Sequence, residues 1–235
     1  MTLNIDIVDF HTHILPGADH GSDSLKTSLA QLRLARDFGV KRIIATSHFY
    51  PNAHTVKGFL KQREEAYLNL LPHLGEELPE VKLGAEVLIC SGIERLPELQ
   101  DLFIEGTNTL LLELPFTHFS EEFYDSVASL ISSGAQVVLA HADRYPVDCV
   151  EKMISSGATV QLNASALSGL LVPRRYFEWI DRGVVSALGS DIHGVDKRAY
   201  KSFVKATLKL GTDANKIKEK SDEIWNKAKS CKNEK

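Results

Sequence analysis

Short apolar runs rich in β-branched residues recur along the chain, separated by stretches with helical spacing. The strand-like runs are 4–10 (NIDIVDF), 41–46 (KRIIAT), 81–87 (VKLGAEV), 109–114 (TLLLEL), 136–140 (QVVLA), 159–162 (TVQL) and 184–189 (VVSALG). Leu25, Leu29 and Leu32 line one face of a first helix. Val56, Phe59, Leu60, Tyr67, Leu70 and Leu71 line a second, with Thr55 at its N-cap. Phe123, Val127, Leu130 and Ile131 mark a third, ended by Gly134. Arg175 to Arg182, 196–210 and 213–229 are also helix-like, and the polar tail 227–235 reads as frayed. Strands alternating with helices predict parallel βαβ units whose sheet is covered on both faces. An open doubly wound sheet and a closed barrel both satisfy this pattern. No linker, low-complexity tract or fixed repeat divides residues 1–235, which are expected to form one α/β domain.

Chemistry in such folds gathers at the C-terminal ends of the strands. There the first run leads into His11-Thr12-His13, the second into Ser47-His48, and the third carries Glu86. The fourth carries Glu113, the fifth stops at His141, and the seventh runs into Asp191-Ile192-His193. Only the sixth breaks the pattern, at Asn163. His, Asp and Glu occupy 40 of 235 positions, so their presence at six of seven strand ends exceeds what composition explains. Positions i and i+2 of an extended segment face the same side, so His11 with His13, and Asp191 with His193, can grip one ion. Mixed imidazole and carboxylate donors suit Zn, Mn or Fe. Eight donors exceed one tetrahedral shell, and two or three ions bridged by Glu86 and Glu113 fit better. Taken singly, a histidine near a strand end is more often a hydrogen-bonded structural residue; the joint arrangement carries the argument. His54 and His73 fall off the strand ends and are given structural roles. Arg144 and Arg198 lie close after His141 and His193, where guanidinium forks can hold an oxyanion. Phe49, Tyr50, Phe116 and Phe119 follow the second and fourth strands and can pack on an aromatic substrate, or equally on the core.

Composition narrows the class. A 26.1 kDa chain buries roughly 70 % of its unfolded surface and folds without staples. A net charge of −4 gives no overall basic footprint for nucleic acid or anionic lipid. Three cysteines, widely spaced and without a CxxC pair, indicate a reducing compartment. No secretory leader and no apolar run of about 18 residues is present, so a cytoplasmic protein without direct membrane insertion is expected. Cys90 and Arg95 form C-x4-R rather than the C-x5-R of cysteine phosphatases.

The segments Val8-Asp9-Phe10-His11-Thr12-His13-Ile14-Leu15-Pro16-Gly17, Thr46-Ser47-His48, Gly84-Ala85-Glu86, Leu112-Glu113-Leu114-Pro115-Phe116, Ala140-His141-Ala142-Asp143-Arg144-Tyr145 and Ser190-Asp191-Ile192-His193 together resemble the PHP (polymerase and histidinol phosphatase) superfamily. Within it the chain is most similar to the metal-dependent protein-tyrosine phosphatases of bacterial capsule and exopolysaccharide operons. The resemblance spans about residues 5–200 and implies a distorted (β/α)7 barrel with its active site at the C-terminal strand ends. It implies two to three divalent metal ions, Mn favoured over Fe or Zn, held by His11, His13, His48, Glu86, Glu113, His141, Asp191 and His193. Where the family reads Asp-Asp-Gly, this chain reads Asp19-His20-Gly21, so His20 is the expected replacement ligand, with Asp19 swinging in, or weaker binding of that metal, as alternatives. The family's His-Xaa-Glu-Arg is His141-Ala142-Asp143-Arg144 here.

By the same resemblance, Arg144 and Arg198 grip phosphate, a metal-activated water attacks phosphorus, and His48 or His193 can supply a proton. The implied substrate is the tyrosine-phosphorylated tail of an autokinase. Competing readings are a histidinol-phosphate or other small-molecule phosphatase, an amidohydrolase-type barrel or DNase, and a metal-binding barrel without turnover. The paired Glu86 and Glu113 and the Asp191-x-His193 ending favour the PHP pattern over the amidohydrolase-type barrel and DNase.

Overall fold

The computed structural model describes residues 6–117 and 119–232, without the side chains of 228–232. Nine strands form one parallel sheet: β1 (Asp9–Thr12), β2 (Arg42–Ala45), β3 (His48–Phe49), β4 (Glu80–Leu83), β5 (Glu86–Leu88), β6 (Thr109–Glu113), β7 (Gln136–Leu139), β8 (Thr159–Asn163) and β9 (Val185–Gly189). Their spatial order is β3-β5-β6-β7-β8-β9-β1-β2-β4. The order has two ends, but the chain joins them. β3 continues β2 across Thr46-Ser47, and β5 continues β4 across Gly84-Ala85. Because β2 pairs with β4 and β3 with β5, the hydrogen-bonded circuit returns to its start as seven strand segments. Gly84 N–H donates to the Ala45 carbonyl (2.8 Å) and Glu86 N–H to that of Ser47 (3.0 Å), carrying the ladder through the break. The distorted (β/α)7 expectation holds, and the open doubly wound alternative is excluded. The run expected at 81–87 is two short strands, because the chain bends at Gly84-Ala85 to follow the curl.

Eight α-helices accompany the sheet: α1 (Leu25–Asp37), α2 (Val56–Leu70), α3 (Glu121–Ser132), α4 (Val147–Ser155), α5 (Ala164–Ser168), α6 (Arg174–Asp181), α7 (Lys197–Leu210) and α8 (Asp213–Lys232). Thr55 Oγ1 caps α2 by accepting from Gly58 N–H, as expected. Gly134 follows α3 with φ +97°, a conformation glycine adopts without strain. The buried face of α1 is rotated from the leucine stripe: Ser28, Gln31, Leu32, Leu34 and Ala35 are buried, whereas Leu25 and Leu29 are partly exposed. Polar contacts set that rotation. Ser28 bonds Ser22 (2.8 Å), and Gln31 donates to the His13 carbonyl (3.3 Å), so α1 holds the loop after β1. The short α4 and α5 were not foreseen. The expected frayed tail is helical as far as Lys232, and 233–235 lie outside the described residues.

The core has two parts. One fills the space between sheet and helices. The other lies inside the circuit, where Val8, Phe10, Ile44, Leu111, Val138, Ala140 and Ala187 meet Ile224 and Trp225 of α8. Arg42, the first residue of β2, lies over the Trp225 ring, so α8 covers the N-terminal strand ends. Among the described residues no helix is long and apolar enough to cross a membrane.

Candidate metal centre

The opposite end is polar, although its residues are buried. His11, His13, Glu86 and His141 are almost fully buried, and His48 and Glu113 nearly so. A bulge in β1 begins the construction. Asp9 pairs with Ile43 and Thr12 with Ala45, three steps against two. Strict alternation is broken there, so Phe10 joins the interior core while His11 also turns toward Glu86. The segment after β9 then runs beside β1: Asp191 N–H donates to the His11 carbonyl (2.9 Å), and His13 N–H to that of Ile192 (3.3 Å). Asp191 and His193 are thereby brought against His11 and His13.

Four imidazoles surround Glu86. Its Oε2 lies 3.0 Å from His11 Nε2, 3.3 Å from His13 Nε2 and 3.0 Å from His48 Nδ1. Its Oε1 lies 2.8 Å from His141 Nε2, which is also 3.5 Å from Glu113 Oε1. Asp191 Oδ1 faces His11 Nε2 (3.7 Å) and His13 Nε2 (3.5 Å).

Supporting bonds set the ring tautomers. Gln161 Oε1 accepts from the His141 backbone N–H (2.7 Å), which identifies it as the amide oxygen; His11 Nδ1, 3.1 Å away, must therefore donate to it. His13 Nδ1 donates to Asp19 Oδ2 (2.7 Å), and His193 Nδ1 to the Asp191 carbonyl (3.1 Å). When neutral, all three rings keep the lone pair on Nε2, as metal binding requires. Burial opposes charge on His13, but Asp19, Asp191 and Glu86 outweigh it and hold that ring well above its ordinary range until an ion displaces the proton.

Ligand-competent atoms gather in three groups: His13 with His48 and His193, His11 with His13 and Asp191, and His48 with Glu86 and Glu113. Shared His13 and His48 make these neighbouring sites rather than separate ones. His141 joins through Glu86. The donor set fits divalent ions on its own evidence. His48 Nδ1, Glu86 Oε2 and His193 Nε2 are buried without a hydrogen-bond partner. His48 Nδ1 and Glu86 Oε2 lack hydrogen-bond geometry at 3.0 Å, as expected of donors aimed at a common cation. The electrostatics agree. Burial disfavours the Glu86 carboxylate, but His11, His13 and His141 outweigh it and hold the group well below the usual range. Burial also opposes charge on His141, yet Glu113 and Glu86 raise it to about 9. Burial and the neighbouring His13 lower His193 to about 4, so that ring is neutral at pH 7.

His20 is placed differently from the other expected ligands. It is exposed and belongs to none of the three groups; its ring lies parallel to His48 at 4.9 Å and 4.6 Å from His193. Asp19 is engaged by His13 and by the backbone N–H groups of Gly21 (2.8 Å) and His48 (3.1 Å). Arg144 and Arg198 line one cavity of about 260 Å³ with Ser165, Asp191, His193 and Ser202. Arg144 pairs with Asp191 and Arg198 with Asp196 (3.0 Å). Asp143 accepts from Asn163 N–H (2.7 Å), tying the turn after β7 to the end of β8. Of the aromatic candidates, Phe49 is buried against Phe59 and serves the core. Phe119 is partly buried beside Tyr145. Tyr50 stacks on His48 (5.2 Å), while Phe116 is 64 % exposed and lies parallel to His141 at 6.4 Å. His54 sits beside Tyr50 and His73 in the turn after α2, both outside the ligand groups.

The family model described as capsular polysaccharide synthesis, CpsB/CapC, matches residues 7–227. The chain belongs to the CpsB/CapC family. It is 28 % identical over 209 residues to the tyrosine-protein phosphatase YwqE of Bacillus subtilis, covering 83 % of this chain and 80 % of that one. It is 24 % identical to the tyrosine-protein phosphatase CpsB of Streptococcus pneumoniae, covering 82 % and 85 %. Its fold matches a solved structure from work on YwqE and CpsB, described there as unique metal-dependent tyrosine phosphatases. The TM-score is 0.77 at 20 % identity, over 94 % of this chain and 95 % of the other.

Two supporting residues of this CpsB/CapC chain escaped sequence reasoning. Gln161 fixes His11 and the His141 backbone, and its one signal was an amide between Val160 and Leu162 of β8. Gly189 lets β9 approach: a Cβ there would lie 2.6 Å from both His11 Cβ and Gln161 Nε2. Backbone strain also collects here. Among the described residues only Glu98, His141 and Asp191 are non-glycines at positive φ, and two of these are candidate ligands.

Proposed function

We propose that the chain is a metal-dependent protein-tyrosine phosphatase of capsular or exopolysaccharide synthesis, acting in the cytoplasm on a tyrosine-phosphorylated kinase segment. The observation that carries this reading is the junction of two features: a buried imidazole–carboxylate cluster, and a cavity beside it lined by Arg144 and Arg198. Two to three divalent ions, Mn favoured, fit the three overlapping groups. When bound, such ions supply Lewis-acid charge and an activated water for in-line attack on phosphorus.

The chain's own groups do the rest. Arg144 and Arg198 hold the phosphoryl oxygens and offset the charge developing on them. Asp191 keeps the Arg144 fork beside the cluster. Asp19 and Gln161 hold His13 and His11 in the ligating tautomer. Phe116 and Tyr50 flank the cluster and give an aromatic wall for the substrate ring. A tyrosinate leaving group, with a pKa near 10, needs little protonation, so the reaction does not require a strong general acid from the chain.

The deciding experiment is phosphate release from a phosphotyrosine peptide by Mn²⁺-reconstituted protein, with phosphoserine peptide and histidinol phosphate alongside. Selective, metal-dependent release that is lost in His141→Ala supports the reading. Activity confined to histidinol phosphate, or full metal occupancy with no release, overturns it.

A further inference from the structure

The whole chain carries a charge of −4, but α7 does not share it. Its sequence, KRAYKSFVKATLKL, holds five cations and no carboxylate. Lys197, Lys201, Lys205 and Lys209 recur at every fourth position, a shallow spiral about 18 Å long on the helix surface. All four are exposed, and among the described residues none of them forms an ion pair with a carboxylate. Lys209 instead donates to the carbonyls of Gly169 and Leu170, fastening the loop after α5 to the end of α7.

That loop ends in bare apolar side chains. Leu170 is 100 % exposed and Leu171 94 %, and Leu208, the neighbour of Lys209, is 61 % exposed. Arg174 and Arg175 follow the loop at the start of α6. Single exposed leucines are ordinary; two adjacent ones at a loop tip, fastened to a lysine-bearing helix, are not.

We propose that the Leu170-Leu171 tip and the lysine face of α7 dock the protein peripherally on an anionic lipid surface. The leucines enter the headgroup–acyl boundary, while the lysines, with long stems and compact charges, meet the phosphates. The composition decides against a protein partner. Protein interfaces are enriched in aromatic residues, Met and Arg, whereas Lys is depleted and Leu is under-represented among their hot spots. The docking residues themselves, Leu170, Leu171, Leu208 and the α7 lysines, are Leu and Lys without an aromatic residue, and the two arginines stand beside them at the start of α6. Docking has a consequence for the centre described above: Arg198, Ala199 and Ser202 of α7 line the arginine cavity, so the docked face brings that cavity close to the lipid.

The proposal does not depend on the phosphatase reading, because binding is measured without turnover. The full chain is co-sedimented with phosphatidylcholine vesicles with and without about 30 % phosphatidylglycerol. We expect binding to the anionic vesicles, weaker by at least ~10-fold on phosphatidylcholine alone and in about 0.5 M salt. Leu170→Ser/Leu171→Ser and Lys201→Glu/Lys205→Glu should each lose at least ~10-fold, with thermal unfolding within about 2 °C of the parent because all four residues are exposed. Failure to bind anionic vesicles, or binding that is unchanged in both variants, overturns the proposal. So does a concentration-dependent dimer that dissolves in the leucine variant while vesicles are ignored, which would make the patch a protein contact.

Discussion

The two ends of the barrel are built from the same strands and meet opposite demands. At the N-terminal end α8 lays Ile224 and Trp225 on the interior core. Among the described residues, the one cation buried there among the strands, Lys82, donates to the Trp225 carbonyl (2.5 Å) and lies 4.4 Å from the Trp225 ring. At the C-terminal end four imidazoles and the carboxylates of Glu86, Glu113 and Asp191 converge, leaving buried donor atoms without hydrogen bonds. Burying such groups costs several kcal/mol unless something pairs with them. The sealed end therefore supplies stability, and the polar end spends part of it on function.

If that division is right, each end can be damaged without the other. Glu86→Gln removes the carboxylate that touches four rings, and is expected to lower kcat/KM by at least ~10³-fold, beyond the 10–100-fold of losing a supporting partner. Metal content measured by elemental analysis should fall with it. Retention of both metal and activity would deny Glu86 its central role. Trp225→Ala should do the reverse. Removing a fully buried tryptophan costs about 3–5 kcal/mol of stability, read by urea unfolding. The folded fraction should keep kcat/KM within about twofold, since the site is distant. A catalytic loss larger than the stability loss explains would join the two ends energetically.

Proton linkage sharpens the contrast. In metal-free protein His141 is raised to about 9, above the ordinary 6.5. A raised histidine contributes stability that is fully present below pH 6.5 and lost as pH climbs through about 9. The loss from His141 alone is roughly 3 kcal/mol. Metal ligation requires the neutral ring, so stabilisation by added Mn²⁺ should grow over the same interval. Thermal melts with chelator and with Mn²⁺, from pH 6.5 to 9, are expected to diverge. Parallel curves would remove His141 from the ligands.

The polar end was the more legible of the two. Histidines and carboxylates at successive strand ends have few structural uses, so their positions alone marked the centre. Its supports were hidden, because Gln161 and Asp19 act through geometry that period-2 alternation does not carry. The β1 bulge even breaks that alternation at His11. The closure of the sheet followed from the resemblance but not from the hydrophobic pattern: the break at Gly84-Ala85 falls inside the run 81–87, and β3 lies beyond the end of the run 41–46. His20, expected as a ligand by position, stacks 4.9 Å from His48 and 4.6 Å from His193, beside the three ligand groups rather than within one. Overall charge is likewise a coarse measure: a net −4 coexists with five cations and no carboxylate in α7.

The smallest expected effect tests the rim of the polar end. Phe116 follows Glu113 and keeps most of its surface in solvent while its ring lies parallel to His141. Burial cannot explain that position, since the side chain is not buried. A contact with an aromatic substrate can, and such pairs contribute about 0.5–1.5 kcal/mol. Phe116→Ala should therefore reduce kcat/KM for a phosphotyrosine peptide about 2–10-fold, through KM with kcat nearly unchanged. Because the ring contributes little to the core, the melting temperature should stay within about 2 °C. A loss in kcat with KM unchanged would mean that Phe116 positions His141 rather than the substrate ring, and selectivity would have to come from the Tyr50 side of the cluster.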